Sequence, residues 1–170
     1  TIIVIHCFAS AKLAGMDFLI VIALSVSLCL LSSFGFVMND LLDKEIDREN
    51  GVERLQRLDG PSLGIGWCIS GFLLLAALGI GLKWCAWGEI VGLSVVLIGL
   101  VFYNLVGSRL LLVSNISAAL LAFSPTLVPI ALGLSPGPET IALVVSGIAF
   151  LLAREMILDV KDVDGDRSAG

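Results

Sequence analysis

The stretch FLIVIALSVSLCLLSSFGFVMNDLLDKEIDR, residues 18–48, joins a long apolar run to a cluster of acidic residues. Its first part, residues 18–39, carries no charged side chain. A helix of about 20 apolar residues, rising about 1.5 Å per residue, crosses the roughly 30 Å hydrocarbon layer of a membrane. Because backbone groups in lipid must pair within their own segment, this run predicts a transmembrane helix.

Similar uncharged stretches recur at residues 60–82, 90–108 and 110–138. The chain of 170 residues is 58% hydrophobic and 15% charged, and its mean hydropathy is +1.04. Soluble domains carry about 25% charged residues, so a soluble globular protein is excluded. We predict an all-α integral membrane protein, a multi-pass transmembrane helix bundle whose partner is the lipid bilayer. No nucleic-acid partner is expected.

The hydropathy pattern and the turn residues predict about six helices, the first of them partial. They are expected at residues 1–14, 18–42, 61–83, 88–106, 110–133 and 138–160. The turn residues include Asn50-Gly51, Gly60-Pro61 and the run Ser135-Pro136-Gly137-Pro138. The helices are predicted to form a single transmembrane domain over residues 1–170.

The charged residues concentrate in two segments, residues 40–59 and 154–167. Four predicted helices separate these segments, and an even number of crossings returns the chain to the same membrane face. Eight of the ten basic residues then lie on this face, and only Lys12 and Lys83 lie on the other. Because cytoplasmic loops are enriched in Lys and Arg, we expect both segments on the cytoplasmic face of the cell membrane.

The first segment places an amide and three carboxylates on one side of a helix. Asn39, Asp43 and Asp47 are spaced four residues apart, which moves each about 40° around the helix from the last, and Asp40 lies beside them. In the second segment, a helix of the same geometry places Glu155 and three aspartates within about 60° of one another around the helix axis. Those aspartates are Asp159, Asp162 and Asp166. Gly165 is a candidate helix breaker.

Carboxylates four residues apart repel each other, so both stripes need a compensating cation. Oxygen ligands without nearby His or Cys suit a hard cation such as Mg²⁺, which commonly uses one or two carboxylates together with substrate phosphate. Two such half-sites at one end of a bundle fit a diphosphate. Arg54, Arg109 and Lys161 are expected on the same face and are candidate diphosphate-binding residues. The alternative is that both clusters are ordinary solvated charges.

At these residues the sequence resembles the UbiA superfamily of intramembrane prenyltransferases. The resemblance lies in an N-D-x-x-D-x-x-x-D pattern and a D-x-x-D-x-x-x-D pattern. The first is matched by Asn39, Asp40, Asp43 and Asp47, and the second by Asp159, Asp162 and Asp166. Tyr103, Arg109 and Asn115 resemble the family's loop after its fourth helix. The run from Arg154 to Arg167 looks most like the branch that prenylates geranylgeranylglyceryl phosphate.

The resemblance implies that the chain transfers an isoprenyl group from an isoprenyl diphosphate to a lipophilic or aromatic acceptor, with Mg²⁺ as cofactor. It implies two metal half-sites built from the seven motif residues. It also implies that four of these residues act as catalytic residues in ionising the diphosphate, namely Asp43, Asp47, Asp162 and Asp166. Tyr103 is a candidate to shield an allylic cation with its ring, although a membrane-interface anchor is the alternative role. Members of the family typically have about nine helices, so three closing helices and part of the first are expected to lie outside this sequence.

The sequence also departs from the family's pattern in one segment, and two rival functions remain as alternatives. Asn50 and Arg54 are kept in the segment after the first motif, but the family's two prolines are missing there. A CDP-alcohol phosphatidyltransferase would need a D-G-x-x-A-R element, which Asp164-Gly165 does not begin. A cation transporter would favour acids in mid-span over acids at one end.

Overall fold

The computed structural model describes residues 17–44, 60–106, 111–131 and 137–169, and the regular structure in these ranges is entirely helical. Six helices are seen in this described part. They are α1 (Phe18–Leu42), α2 (Pro61–Trp84), α3 (Trp87–Leu105), α4 (Leu111–Ala122), α5 (Ser124–Ala131) and α6 (Pro138–Ala169). The prediction of an all-α fold is confirmed. The predicted helix at residues 1–14 lies outside the described residues.

Helix α1 begins and ends where the sequence predicts. The Asp17 carboxylate accepts a hydrogen bond from the Leu19 backbone N–H at 2.8 Å, so it satisfies one of the free donors at the helix start. At the other end, the Asp43 backbone N–H donates to the Asn39 carbonyl at 2.9 Å. Helices α2 and α3 also match their predicted ranges to within one residue at each end.

The prediction of one continuous helix over residues 110–133 is wrong, because the chain breaks at Phe123 into α4 and α5. The Phe123 carbonyl accepts hydrogen bonds from the N–H groups of both Thr126 and Leu127, at 2.9 and 3.0 Å. Pro125 has no N–H to continue the bonding of α4, and proline is well tolerated only in the first turn of a helix. A new helix therefore starts immediately before Pro125.

Helix α6 is longer than predicted, since it continues to Ala169 rather than ending near residue 160. Gly165 does not break it. A single glycine inside a helix costs only about 1 kcal/mol relative to alanine, which is too little to end a helix on its own.

Contacts between the helices show how the chain runs up and down the bundle. Helix α1 packs mainly against α2 and α3, α3 packs against α4 and α5, and α4 packs against α6. The Ser27 hydroxyl donates to the Ala77 carbonyl at 3.2 Å, and Leu41 lies against Gly66. These pairs follow opposite orders along α1 and α2, so the two helices are antiparallel. A buried core joins α1, α2, α3 and α5 through Leu24, Leu28, Leu31, Ala77, Leu93, Val96 and Val128.

Three helices in the described part, α1, α2 and α3, are long and apolar enough to cross a membrane. Shorter apolar helical stretches cover Val113–Ala122 and Ile141–Arg154. Many large apolar side chains are exposed on the outer side of the bundle, such as Phe72, which is 69% exposed. Exposing such a large apolar surface to water is unfavourable, whereas lipid tails can cover it.

Candidate functional site

The C-terminal end of α1 gathers three of the predicted metal ligands. Asn39 and Asp40 lie in its last turn, Asp43 follows it directly, and all three are half-buried. The last carbonyl groups of a helix carry partial negative charge, which favours basic residues there. Within α1 that last turn contains no basic residue. The two carboxylates therefore add negative charge to an already negative helix end, and Lys44, which follows Asp43, offsets only part of it, so this end favours a further cation.

A cavity of about 560 Å³ begins beside this helix end and extends into the bundle. Its walls come from α1, α3, α4, α5 and α6, together with Phe123 at the α4–α5 break. The lining includes Asn39, Tyr103, Asn104, Phe123, Thr126 and Phe150. The volume falls in the range of about 300–1,000 Å³ that is usual for small-molecule sites. Most of the wall is apolar, so the cavity suits a hydrophobic molecule with a polar group at one end.

The length of the cavity follows from the residues that line its helices. It is lined on α1 from Ser32 to Asn39 and on α3 from Val96 to Asn104. At about 1.5 Å per residue these stretches span about 10–12 Å of helix. The end marked by Asn39 is named here the acidic end, and the end marked by Ser32 and Val96 is named the deep end.

Tyr103 lies in the cavity wall near the acidic end, half-buried on the last turn of α3. This position is compatible with the predicted cation-shielding role. It is also near a helix end, where a tyrosine commonly anchors at a membrane interface.

Three polar residues in the wall, Ser32, Asn104 and Thr126, were not predicted from the sequence. Asn104 is 4% exposed, and its Nδ2 donates to the Leu100 carbonyl at 2.8 Å. Its Oδ1 and the Thr126 hydroxyl are both buried and have no hydrogen-bond partner in the described structure. The sequence did contain an indication of Asn104, because an amide side chain is unusual inside an apolar span. Thr126 gave no such signal, because its place in the wall depends on the helix break.

The remaining predicted site residues have no described side chains. Asp47, Arg54 and Arg109 lie outside the described residues. The same holds for the side chains of four residues on the last turns of α6, although the helix itself is described there. They are Asp159, Lys161, Asp162 and Asp166. Among the side chains that are described, no three His, Cys, Asp or Glu residues come close enough together to hold a metal ion.

Helix α6 also brings a basic residue close to the cavity. Phe150 and Leu151 line the cavity, and Arg154 follows Phe150 by one helical turn. Arg154 is exposed and borders a second, shallower pocket of about 270 Å³ together with Phe150 and Ile157. Its charge was not assigned a role in binding diphosphate from the sequence.

Comparison with protein families identifies the chain as a member of the UbiA prenyltransferase family, whose profile matches residues 1–170. Its class is therefore that of the intramembrane prenyltransferases. Comparison with curated proteins finds no significant match, and neither does comparison with solved structures.

Proposed function

We propose that this chain catalyses Mg²⁺-dependent transfer of an isoprenyl group from an allylic diphosphate to a lipophilic acceptor. The observation that carries the proposal is an apolar cavity inside the bundle, with Asn39 at one end and two half-buried carboxylates on the same helix end. An isoprenyl diphosphate has the matching form, an apolar chain with an anionic head that pairs with carboxylates only through a cation.

The donor set at the acidic end fits Mg²⁺. The amide of Asn39 and the carboxylates of Asp40 and Asp43 offer oxygen ligands alone, which hard cations prefer. Asp47 would complete this half-site. The second half-site would come from Asp159, Asp162 and Asp166, with Arg54, Arg109 and Lys161 adding positive charge for the diphosphate.

The direction of α6 supports the pairing of the two half-sites. Leu151 lines the cavity, and Asp159 follows it by eight residues on the same continuous helix, about 12 Å further along the axis. Asp43 likewise lies four residues beyond Asn39, which also lines the cavity. Both aspartates thus come after a cavity-lining residue of their own helix, and the proposal places them at the acidic end.

The protein's own residues would bind, orient and shield the donor. The apolar walls hold the isoprenyl chain and exclude water, so that a reactive allylic centre is not lost to hydrolysis. Tyr103 would face the allylic carbon near the acidic end. Mg²⁺, when bound, supplies Lewis-acid stabilisation of the departing diphosphate.

The bond changes of the proposed reaction balance without a redox partner. The allylic C–O bond breaks, and the electron pair leaves with the diphosphate. The acceptor nucleophile then forms a new bond to the allylic carbon and loses a proton. The acceptor we favour is geranylgeranylglyceryl phosphate, and an aromatic quinone precursor is the second candidate. The reaction would take place at the cytoplasmic face of the cell membrane.

The positions of the acids favour this reaction over cation transport. Asp40 and Asp43 lie at the C-terminal end of α1, and Glu89 and Glu139 lie in the first turns of α3 and α6. A transport pathway would place ionisable groups in mid-span.

The test is release of diphosphate from geranylgeranyl diphosphate by the purified protein in detergent, with and without EDTA. We expect release to require Mg²⁺. Asp43→Ala and Asp162→Ala are each expected to lower kcat/KM by about 100-fold or more, which is the scale for losing a strong electrostatic contact to a transition state.

The matched control is Glu139→Ala, because Glu139 is an exposed acid at the start of α6, eleven residues before Phe150. This variant should match the wild type. Wild-type activity in Asp43→Ala and Asp162→Ala would show that the proposed metal site is wrong. A folded wild-type protein with no turnover on any donor or acceptor would overturn the proposed reaction.

A further inference from the structure

Phe123 occupies an unusual position, since it is the residue at which α4 stops and α5 starts. Its N–H donates to the Ala119 carbonyl at 3.2 Å, and its own carbonyl accepts from Thr126 and Leu127. The backbone of Phe123 is thereby tied to both helices. Its side chain is half-buried and forms part of the cavity wall.

The Phe123 ring rests directly on α6 at Gly147. A methyl group added to Gly147 would collide with the Cζ atom of the ring and would lie 2.8 Å from both Cε atoms. Only a residue without a side chain leaves room for the ring at this point. The ring therefore bridges the space between the α4–α5 break and α6.

This bridge lies toward the deep end of the cavity. Gly99 of α3 packs against Leu121, and Gly92 packs against Val128. Because Phe123 lies between Leu121 and Val128 in the chain, it passes α3 between these two glycines. That stretch contains Val96, which marks the deep end, and it lies away from Tyr103 at the acidic end.

We propose that Phe123, seated on Gly147, is the residue that limits the length of the isoprenyl chain the cavity accepts. The inference rests on the proposed function, in which the diphosphate lies at the acidic end and the chain extends toward the deep end. The far end of the chain then meets the Phe123 ring. A flat ring held at both its backbone and its tip acts as a fixed wall, because close-packed interiors yield little to added carbon atoms.

The test is a competition among the geranyl, farnesyl, geranylgeranyl and geranylfarnesyl diphosphates, with Mg²⁺ present and the full chain in detergent. The measurement is the ratio of kcat/KM for each donor to that for the next longer one. Phe123→Leu and Phe123→Ala are expected to shift preference toward longer donors by about 10-fold or more, since even one methylene in an apolar pocket changes discrimination by about 10–200-fold. Phe123→Trp is expected to shift preference toward shorter donors.

The matched control is Phe72→Ala, which removes an aromatic ring from the exposed face of α2, away from the cavity. Its donor preference should equal that of the wild type. The Leu variant keeps an apolar side chain at the helix break, so the test does not depend on the Ala variant folding.

The two proposals fail in different ways. If Phe123→Leu and Phe123→Trp turn over donors with wild-type length preference, the role of Phe123 is overturned while the proposed function stands. If the wild type releases diphosphate from no donor, the proposed function fails. In that case the change in melting temperature on adding isoprenyl alcohols of increasing length still decides the role of Phe123. The longest alcohol that stabilises the protein must be longer in Phe123→Leu than in the wild type, and an unchanged limit overturns the proposal.

Discussion

Within the described part of the chain, Thr126 and Asn104 each place a buried oxygen without a hydrogen-bond partner in the wall of a mostly apolar cavity. A buried polar atom without a partner destabilises a protein by about 1–3 kcal/mol, because it loses its hydrogen bond to water on folding. The Thr126 oxygen lies in the α5 wall, where an isoprenyl chain would offer it no partner, whereas Asn104 lies next to Tyr103 at the acidic end of the cavity. Thr126 therefore differs from the acids of α1 in having no expected part in binding the donor.

Replacing Thr126 with valine is therefore expected to stabilise the protein. Valine keeps the branched shape and removes the unpaired hydroxyl, so the free energy of unfolding should rise by about 1 kcal/mol. Reversible unfolding in mixed detergent micelles measures this change. The control is Ser94→Ala, because the Ser94 hydroxyl already donates to the Ile90 carbonyl at 2.8 Å. A loss of stability in Thr126→Val would show that the hydroxyl has a partner, such as an ordered water.

At the scale of helices, glycines determine how closely α3 and α5 approach. A methyl group on Gly92 would lie 2.5 Å from Cγ1 of Val128, whereas a methyl group on Gly71 of α2 would meet nothing within 4 Å. Valine is stiff at its first side-chain torsion and has few ways to move aside. The contact at Gly92 thus fixes the position of α5, and with it the deep end of the cavity.

The two glycines predict opposite effects for the same substitution. Gly71→Ala should stabilise α2 by about 0.5–1 kcal/mol, because alanine is the better helix former. Gly92→Ala should destabilise the protein by about 1–3 kcal/mol, the usual range for overpacking. Melting temperatures of both variants, compared with the wild type in the same detergent, measure the difference. Equal stabilisation by both substitutions would mean that α5 does not pack against α3 at Gly92.

The helix break at Phe123 shows that hydropathy alone does not locate helix ends within a long apolar stretch. Residues 18–42 were predicted to the residue because their ends coincide with Asp17 and with the acids that follow the apolar run. Residues 110–133 are just as apolar, and hydropathy alone reads them as one helix. What ends α4 is local backbone chemistry at Pro125, and the sequence offers Pro129 as an equal candidate. The choice between them is made by packing, which the one-dimensional pattern does not contain.

At the scale of the whole molecule, the sequence located the acidic residues of the proposed site, but it did not locate the apolar wall of the cavity. The helical spacing of the acids and the end of the apolar run placed Asn39, Asp40 and Asp43 together at the end of one helix, and their role as metal ligands stays a prediction. Phe123 and Thr126 belong to the cavity only because α4 ends where it does and because α6 presents Gly147 opposite. Such contacts join residues far apart in the chain, and no local pattern encodes them.

The proposed site is divided between two distant parts of the chain, and this division predicts non-additive effects. If the diphosphate is held only when metals occupy both half-sites, losing either half-site removes the whole stabilisation of the leaving group. Groups that act as a unit give such behaviour, in which the second substitution adds little to the first. Asp43→Asn and Asp162→Asn should each lower kcat/KM by about 100-fold or more. The double variant should then be no more than a few-fold worse than either single variant.

The measurement is a double-mutant cycle on diphosphate release, with Glu139→Gln combined with Asp43→Asn as the reference pair. Glu139 is exposed at the start of α6, so the reference pair should show the Asp43 effect alone. If the two aspartates served separate sites, their effects would multiply to about 10,000-fold, since independent contributions add in free energy. That result would contradict a single two-metal site, because each aspartate would then contribute without the other.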